Sequence, residues 1–442
     1  MKVAILGYEA QGRSAYEYWD KAGNEVVIHD LDPDKEVPKD APTKLGKHYL
    51  DNLNQYDLLI RTPVIHPKQI LEANPDAPDI LEKMWSNTNE FFANCPTKNV
   101  IGVTGTKGKG TTCTLITHML ESAGYKVHLG GNIGIAPLEL LKDNIQPDDW
   151  VVLELANFQL IDLQASPHIG VCLLIEPEHL NWHADIEEYM EAKRQMFVHQ
   201  SEDDLAIYYA DSRYSLAVAE ATKGLLIPFM ASPGAEVTDT MDGTEEVRID
   251  GHKICETKDI KLLGKHNWQN VCAAVTAVWN ITQDVPAIHK AIVSLTGLPH
   301  RLEKVREVDG VIYYNDSFAS APPAAVASME AIPGSKVMII GGFDRGLDLN
   351  ELARAIATHQ TDLRRVIIIG QSAPAIEQAL AVHGFNNYDV LKNATMKHVV
   401  THAQESAHSG DKVILSPGFA SFDMFKNFEE RGIHFKEAVN GL

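Results

Sequence analysis

The stretch NVIGVTGTKGKGTTCTLITHMLES, residues 99–122, constrains the fold more than any other. A short branched run leads into glycines 105, 108 and 110 around Lys109, and a helix-like segment follows. Strand, glycine loop and helix in that order bring backbone N–H groups and a helix N-terminus onto one anion, with a lysine adding charge. The stretch therefore demands an α/β architecture. Gly105, Thr106, Lys107, Gly108, Lys109, Gly110, Thr111 and Thr112 form the candidate phosphate cradle. It departs from the G-x-x-x-x-G-K-[S/T] pattern, because Val103 occupies the first glycine position and Gly110 follows Lys109. The hydroxyl that normally ligates Mg²⁺ is missing there, and a one-residue shift to Thr111 would restore it. The competing reading is an ordinary glycine-rich turn with a surface lysine.

The rest of the chain alternates in the same way. MKVAILGYEAQGRSAYEYWDKAGNEVVIHD reads as a βαβ unit, and YDLLIRTPV adds a strand. WVVLELA and IGVCLLIE are short branched runs of the kind found in buried parallel strands. DIEEYMEAKRQMFVHQ reads as a helix with Asp185 at its N-cap and acidic residues in its first turn. GVIYYND, KVMIIGG, RRVIIIG and DKVILSP are strands of a further doubly wound block. A chain of 442 residues suggests roughly three domains. Turn residues near FFANCPTKN and around Gly297-Leu298-Pro299 divide it into residues 1–94, 95–297 and 298–442.

The net charge of −21 argues against a nucleic-acid or anionic-membrane surface, so any anionic ligand must be held by local groups. The five cysteines form no CxxC pair, no signal-like segment follows Met1, and no apolar run approaches the length of a membrane span. The cytoplasm is the compartment these features predict.

Position singles out further candidates. Glu154 ends the run VVLE, and His179 follows the next strand in IEPEHLNWH. Ligands of open α/β sheets collect at strand C-termini, so both residues are candidates for Mg²⁺ beside the loop, against the alternative of simple solvation. GYEAQG carries Glu9 where a dinucleotide fingerprint has its second glycine, so a bare turn competes with a nucleotide site. Asp30, ending the second strand, is placed to bind a ribose or sugar hydroxyl. Lys193, inside a helix of mixed charge, reads locally as a surface lysine.

Taken together, TGTKGKGTT, GGNIG, LELANFQL, EHLNWH, YMEAKRQMF, GKHNWQNVCAA, GLPHRLE, YYNDSFAS and LSPGFASFDMFKNFEERG carry a resemblance over nearly the whole chain. Their order and spacing are similar to those of the Mur ligases, ATP-dependent amide-forming enzymes of peptidoglycan precursor synthesis. The last stretch resembles the branch that adds D-glutamate to UDP-N-acetylmuramoyl-L-alanine. The resemblance implies a UDP-binding Rossmann-like domain, a central ATPase with a mostly parallel sheet, and a C-terminal Rossmann-like domain in a monomer. It implies that Lys109 binds the ATP phosphates, that Thr111, Glu154 and His179 hold Mg²⁺, and that Lys193 is carbamylated by CO₂. Asn132 matches a contact to the UDP-sugar, Asn267 and Asn270 match adenine-side residues, and Arg301 and Asp316 match ribose and phosphate contacts. Ser421 and Phe428 fall on the D-glutamate pocket, with Ser320 and Arg345 where the family has threonine and lysine. The implied reaction makes an acyl phosphate that the glutamate amine then attacks, with His179 as a candidate proton acceptor.

Four departures stand out. Gly110 after the loop lysine resembles the loop of the folylpolyglutamate synthetases, and Lys107 replaces an asparagine. RTPV replaces a serine-proline-glycine turn that touches the nucleotide, and GYEAQG is also unusual. Phe318 and Ala321 replace a lysine and an asparagine of DSKATN. The alternatives are a related ligase with another amino acid or a folate acceptor, and a non-catalytic ATP-binding relative.

Overall fold

The computed structural model describes residues 1–442 except Ala22, Ile133, Leu263 and Leu298. Ile133 of GGNIG and Leu298, where the third predicted domain begins, therefore lie outside the described residues. The chain forms two compact units, one of Met1–Ile260 with Lys265–Leu295, the other of Lys261–Gly264 with Thr296–Leu442.

The first unit carries two parallel sheets and a small antiparallel one. Strands β1 (Lys2–Leu6), β2 (Glu25–Asp30), β3 (Thr43–Leu45), β4 (Leu58–Arg61) and β5 (Met84–Ser86) pair in the order β3-β2-β1-β4-β5. Strands β6 (Val100–Thr104), β7 (Val127–Gly131), β8 (Trp150–Glu154), β9 (Ile169–Cys172), β10 (Leu205–Tyr209) and β11 (Leu225–Phe229) pair as β11-β10-β9-β6-β8-β7. Every residue of β6, β8 and β9 is buried, which explains why these strands are nearly continuous apolar runs without alternation. Glu154 is their one charged residue, and it too is buried. It ends β8, paired in register with Val103 of β6, so strand order sets its carboxylate beside the loop that leaves β6.

Sequence reading missed the antiparallel sheet of β12 (Glu236–Asp239), β13 (Glu245–Ile249) and β14 (His252–Glu256). EVTD, EEVRI and HKICE bury only part of their surface and are rich in charge, so they lack the apolar signature of a core strand. In the second unit, β15 (Glu303–Val308), β16 (Val311–Asn315), β17 (Lys336–Gly341), β18 (Leu363–Ile369), β19 (Tyr388–Leu391) and β20 (Lys412–Leu415) pair as β15-β16-β20-β17-β18-β19. Only β15 runs antiparallel there, and it too escaped notice because its residues are mostly polar and partly exposed. No helix among the described residues is long and apolar enough to cross a membrane.

One ion pair ties the first sheet to the central one. Arg61, at the end of β4, is 1% exposed. Its guanidinium forks onto Asp162, Nε to Oδ2 at 2.8 Å and Nη2 to Oδ1 at 2.6 Å, and donates again to the carbonyls of Phe158 and Ile65. The arginine of RTPV is thus consumed internally, which gives that departure a structural purpose. Removing one partner leaves a buried charge uncompensated. Asp162→Ala is expected to cost roughly 3–5 kcal/mol in denaturant unfolding, and the double change Arg61→Met with Asp162→Leu to recover most of it.

Candidate active site

The loop between β6 and the helix Lys109–Ser122 has the form that its glycines require. Gly108 is the helix N-cap with φ +87°, and a Cβ there would run into the amide of Asn270. Gly105 has φ +150°, and its Cβ would lie 2.7 Å from Cβ of Leu173. Both positions exclude a side chain by backbone angle and by space. Thr106 is locked between elements: its hydroxyl accepts the Glu176 N–H at 2.9 Å and meets the Tyr189 hydroxyl at 3.0 Å. Lys107 is exposed beside it.

Two lysines converge on this loop. Lys109 Nζ donates to the carbonyls of Gly105 and Thr106, each at 3.0 Å. Lys193 Nζ donates to the same Gly105 carbonyl at 3.1 Å and to Thr104 Oγ1 at 3.3 Å, and lies 4.6 Å from the Tyr189 ring centroid. Lys193 is 1% exposed, so the surface position that local sequence suggested is wrong. The helix Ile186–Val198 turns it inward with Tyr189, Met196 and Phe197. Burial, reinforced by the charge on Lys109, lowers the Lys193 ammonium to about 7. Near neutral pH a large share of it is therefore an uncharged amine.

The carboxylate and the histidine are also oriented. Glu154 is buried, and its Oε1 accepts from Asn132 Nδ2 at 2.9 Å. Asn132 therefore meets Glu154, a pairing that its place in GGNIG did not disclose. His179 has φ +58° and lies against Phe158 with ring centroids 4.7 Å apart. Burial and then the Lys109 and Lys193 charges depress its pKa, while Glu178 opposes them, so the ring is neutral at pH 7 with a lone pair to give. Gly110, Thr111 and Thr112 are buried in the first helical turn. Thr112 Oγ1 faces Asn270 Oδ1 at 3.4 Å, and Asn270 Nδ2 donates to Asn267 Oδ1 at 2.9 Å. Asn267 and Asn270 thus brace the loop from the helix His266–Trp279. The Glu154 carboxylate, the Thr111 hydroxyl and the His179 imidazole are donor types that a divalent cation bound to phosphate takes, each held by its own neighbours near the loop or its flanking strands.

In the first sheet, Asp30 is bound to its own turn. Its Oδ2 accepts the Tyr8 N–H at 2.7 Å and its Oδ1 the Asp32 N–H at 2.9 Å. Glu9 stands at the N-cap position of the following helix without a capping hydrogen bond from its side chain, and its carboxylate pairs with Lys35 instead of standing bare before a pyrophosphate.

The second unit gathers its own candidates. Arg345 Nη2 donates to the Ser320 carbonyl at 2.9 Å, so these two predicted residues meet. Arg301 lies 5.2 Å from the Phe318 centroid, and Phe318 meets Phe428 edge-on at 5.2 Å. Asp316 is buried and accepts from Ser328 Oγ, from Ser416 Oγ at 2.8 Å and from the Leu302 N–H at 3.0 Å. Burial raises its pKa against those donors. Ser421 is buried, and its carbonyl accepts the Phe425 N–H at 2.8 Å. Sequence reading did not single out Arg431. It is 1% exposed and donates to Ser317 Oγ and to the carbonyls of Ser317, Phe419 and Ala420, fixing the segment that carries Ser421. The available signal was a lone arginine among the buried positions of FEERGIHF, but helix charge patterns alone place it on the surface.

The chain matches the family model described as Mur ligase middle domain over residues 103–278, and that described as Mur ligase, glutamate ligase domain over residues 300–419. It is 36% identical to the UDP-N-acetylmuramoylalanine--D-glutamate ligase of Acetivibrio thermocellus, covering 100% of this chain and 96% of that one. It is 37% identical to the protein of the same name from Symbiobacterium thermophilum, covering 91% and 88%. Its fold is shared with MurF from Acinetobacter baumannii, with a TM-score of 0.62, 16% identity, and coverage of 99% and 90%. The chain belongs to the Mur ligase family.

The loop geometry sets a direct expectation. Gly108→Ala forces a side chain into a left-handed backbone and against Asn270, and should weaken ATP binding at least tenfold in calorimetry.

Proposed function

We infer that the protein is an ATP-dependent ligase that joins D-glutamate to UDP-N-acetylmuramoyl-L-alanine through an acyl phosphate, in peptidoglycan precursor synthesis. The observation that carries this reading is the meeting of Lys109 and Lys193 on one loop carbonyl, in a chain matched end to end by relatives of that name. Residues 1–94 are assigned to the UDP-sugar, 95–297 to ATP and 298–442 to the amino acid, in a cytoplasmic monomer.

The chemistry follows from charge. The substrate carboxylate attacks the γ-phosphorus and ADP leaves, so two anions must be brought together. Lys109 swings from the loop carbonyls to the phosphates and offsets that repulsion, while the loop N–H groups hold the chain of phosphates in line. Glu154, aimed by Asn132, with His179 and Thr111, would hold Mg²⁺, which supplies further neutralisation of the phosphate oxygens when bound. Lys193 joins this group after its neutral amine adds to CO₂ and releases a proton, becoming a carbamate anion. Asn267 and Asn270 serve the adenine side, and Arg301 and Asp316 the ribose and phosphates. The glutamate amine, held by Ser320, Arg345, Ser421 and Phe428, then attacks the acyl carbon and phosphate departs. His179, neutral at pH 7, is the group assigned to accept the amine proton when metal does not occupy its lone pair.

Phosphate release should require the UDP-sugar and be fastest with D-glutamate among D-glutamate, L-glutamate, L-lysine and glycine. Lys109→Ala should lower that rate about 10²–10³-fold or more, and an unchanged rate refutes the reading. The carbamate has its own signature. With ¹³CO₂, a carbamate resonance lost in Lys193→Arg should grow between pH 6 and 8, because the amine becomes neutral above about 7. A signal that stays flat across that range counts against it.

A further inference from the structure

The turn after β4 touches the His179 segment through His66. His66 caps the helix Pro67–Ala73, its Nδ1 accepting the Lys68 N–H at 3.1 Å. Its ring lies against Trp182, centroids 4.3 Å apart, and its Nε2 is 3.3 Å from Glu188 Oε2. The same carboxylate oxygen accepts the Ala184 N–H at 2.8 Å and the His183 Nδ1–H at 3.3 Å. His183 Nε2 accepts from Asn157 Nδ2 at 2.7 Å, and its backbone N–H donates to the His179 carbonyl at 2.9 Å. Phe158 closes the group, with ring centroids 4.8 Å from Trp182 and 4.7 Å from His179.

His66, His183 and Glu188 bring three ligand atoms close enough for a cation. The tautomers speak for another use. His66 Nδ1 accepts a backbone N–H, so the proton of that ring sits on Nε2, the nitrogen facing Glu188, while His183 Nε2 is engaged by the Asn157 side-chain amide. A metal would need a lone pair on the nitrogen facing Glu188 in each ring, and a ligating histidine normally donates its other N–H outward. At His66 the outward partner is a backbone N–H, which cannot accept. The cluster is therefore a bridge held by two hydrogen bonds, one off-axis N–H contact from His66, and ring packing.

The bridge supports a backbone that needs support. A histidine at φ +58° is uncommon and persists when its surroundings fix it. Residues 179–184 pack on Phe158 through His179 and Trp182 and are tied to Glu188 through Ala184 and His183, and His66 reaches Trp182 and Glu188 from the turn after β4. We propose that His66 is a positioning residue of the ligase site, holding the turn of residues 179–184 so that His179 meets the metal in one orientation. This rests on the metal role assigned to His179 above.

Two substitutions separate the functions of the ring. His66→Asn keeps an oxygen that can cap the Lys68 N–H but loses the reach to Glu188. His66→Gln keeps an N–H donor of suitable reach and weakens the cap. Mn²⁺ binding to the full chain with a non-hydrolysable ATP analogue, read by electron paramagnetic resonance, should fall about tenfold in H66N and largely recover in H66Q. The thermal midpoint should order the variants the other way, with H66N the closer to the parent. Equal Mn²⁺ affinity in the parent and H66N overturns the proposal, as does stoichiometric Zn²⁺ binding by the parent alone that H66N abolishes. His179→Ala distinguishes the two levels: weakened Mn²⁺ binding there, with none in H66N, removes only the role of His66. Unchanged Mn²⁺ binding in His179→Ala removes the metal reading on which that role rests.

Discussion

The structure around the loop depends on one electrostatic constraint, two lysine side chains sharing the carbonyl of Gly105. Lys109 sits at a helix N-terminus, where a cation is disfavoured by the helix dipole, and Lys193 is buried beside it. Burial makes a permanent positive charge on Lys193 costly, and loss of a proton relieves it. The site is thus poised for the species that the reaction supplies, and the lowered affinity of Lys193 for its proton is the visible sign of that tension.

The scaffold keeps this arrangement stiff. β6 lies between β8 and β9, so Glu154 and the His179 segment leave the sheet on either side of the phosphate loop. Asn132 from beyond β7 fixes Glu154, while Asn270 from a distant helix fills the space that a side chain at Gly108 would need. Arg61 with Asp162 joins the first sheet to the same frame. In the second unit, Arg431 plays the equivalent part for the segment bearing Ser421, with backbone carbonyls in place of a carboxylate.

The apolar runs of β6, β8 and β9 were legible because buried parallel strands leave little room for polar residues. The Asp185 cap was legible too, and its side chain does accept the Glu188 N–H. The strands β12 to β15 were not, since half-exposed charged strands look like loops. Lys193 shows the limit most plainly. The charges around it in EEYMEAKRQ describe a solvated helix, and nothing local reports that one face of that helix meets Thr104 and Gly105. Resemblance to a family pointed to that lysine where periodicity could not.

By itself, then, the sequence determined the α/β class, the order of strand, glycine loop and helix, and the residue types available for phosphate chemistry. These are local properties, set by hydrophobic period, glycine spacing and helix caps. Only the tertiary structure decided that Lys193 is buried beside Lys109, that Asn132 serves Glu154, that Arg61 is spent on Asp162, and that His66 reaches Glu188. Each of those facts joins residues far apart in the chain, and strand order and packing bring them within a few ångströms, where burial turns ordinary side chains into shifted acids, bases and braces.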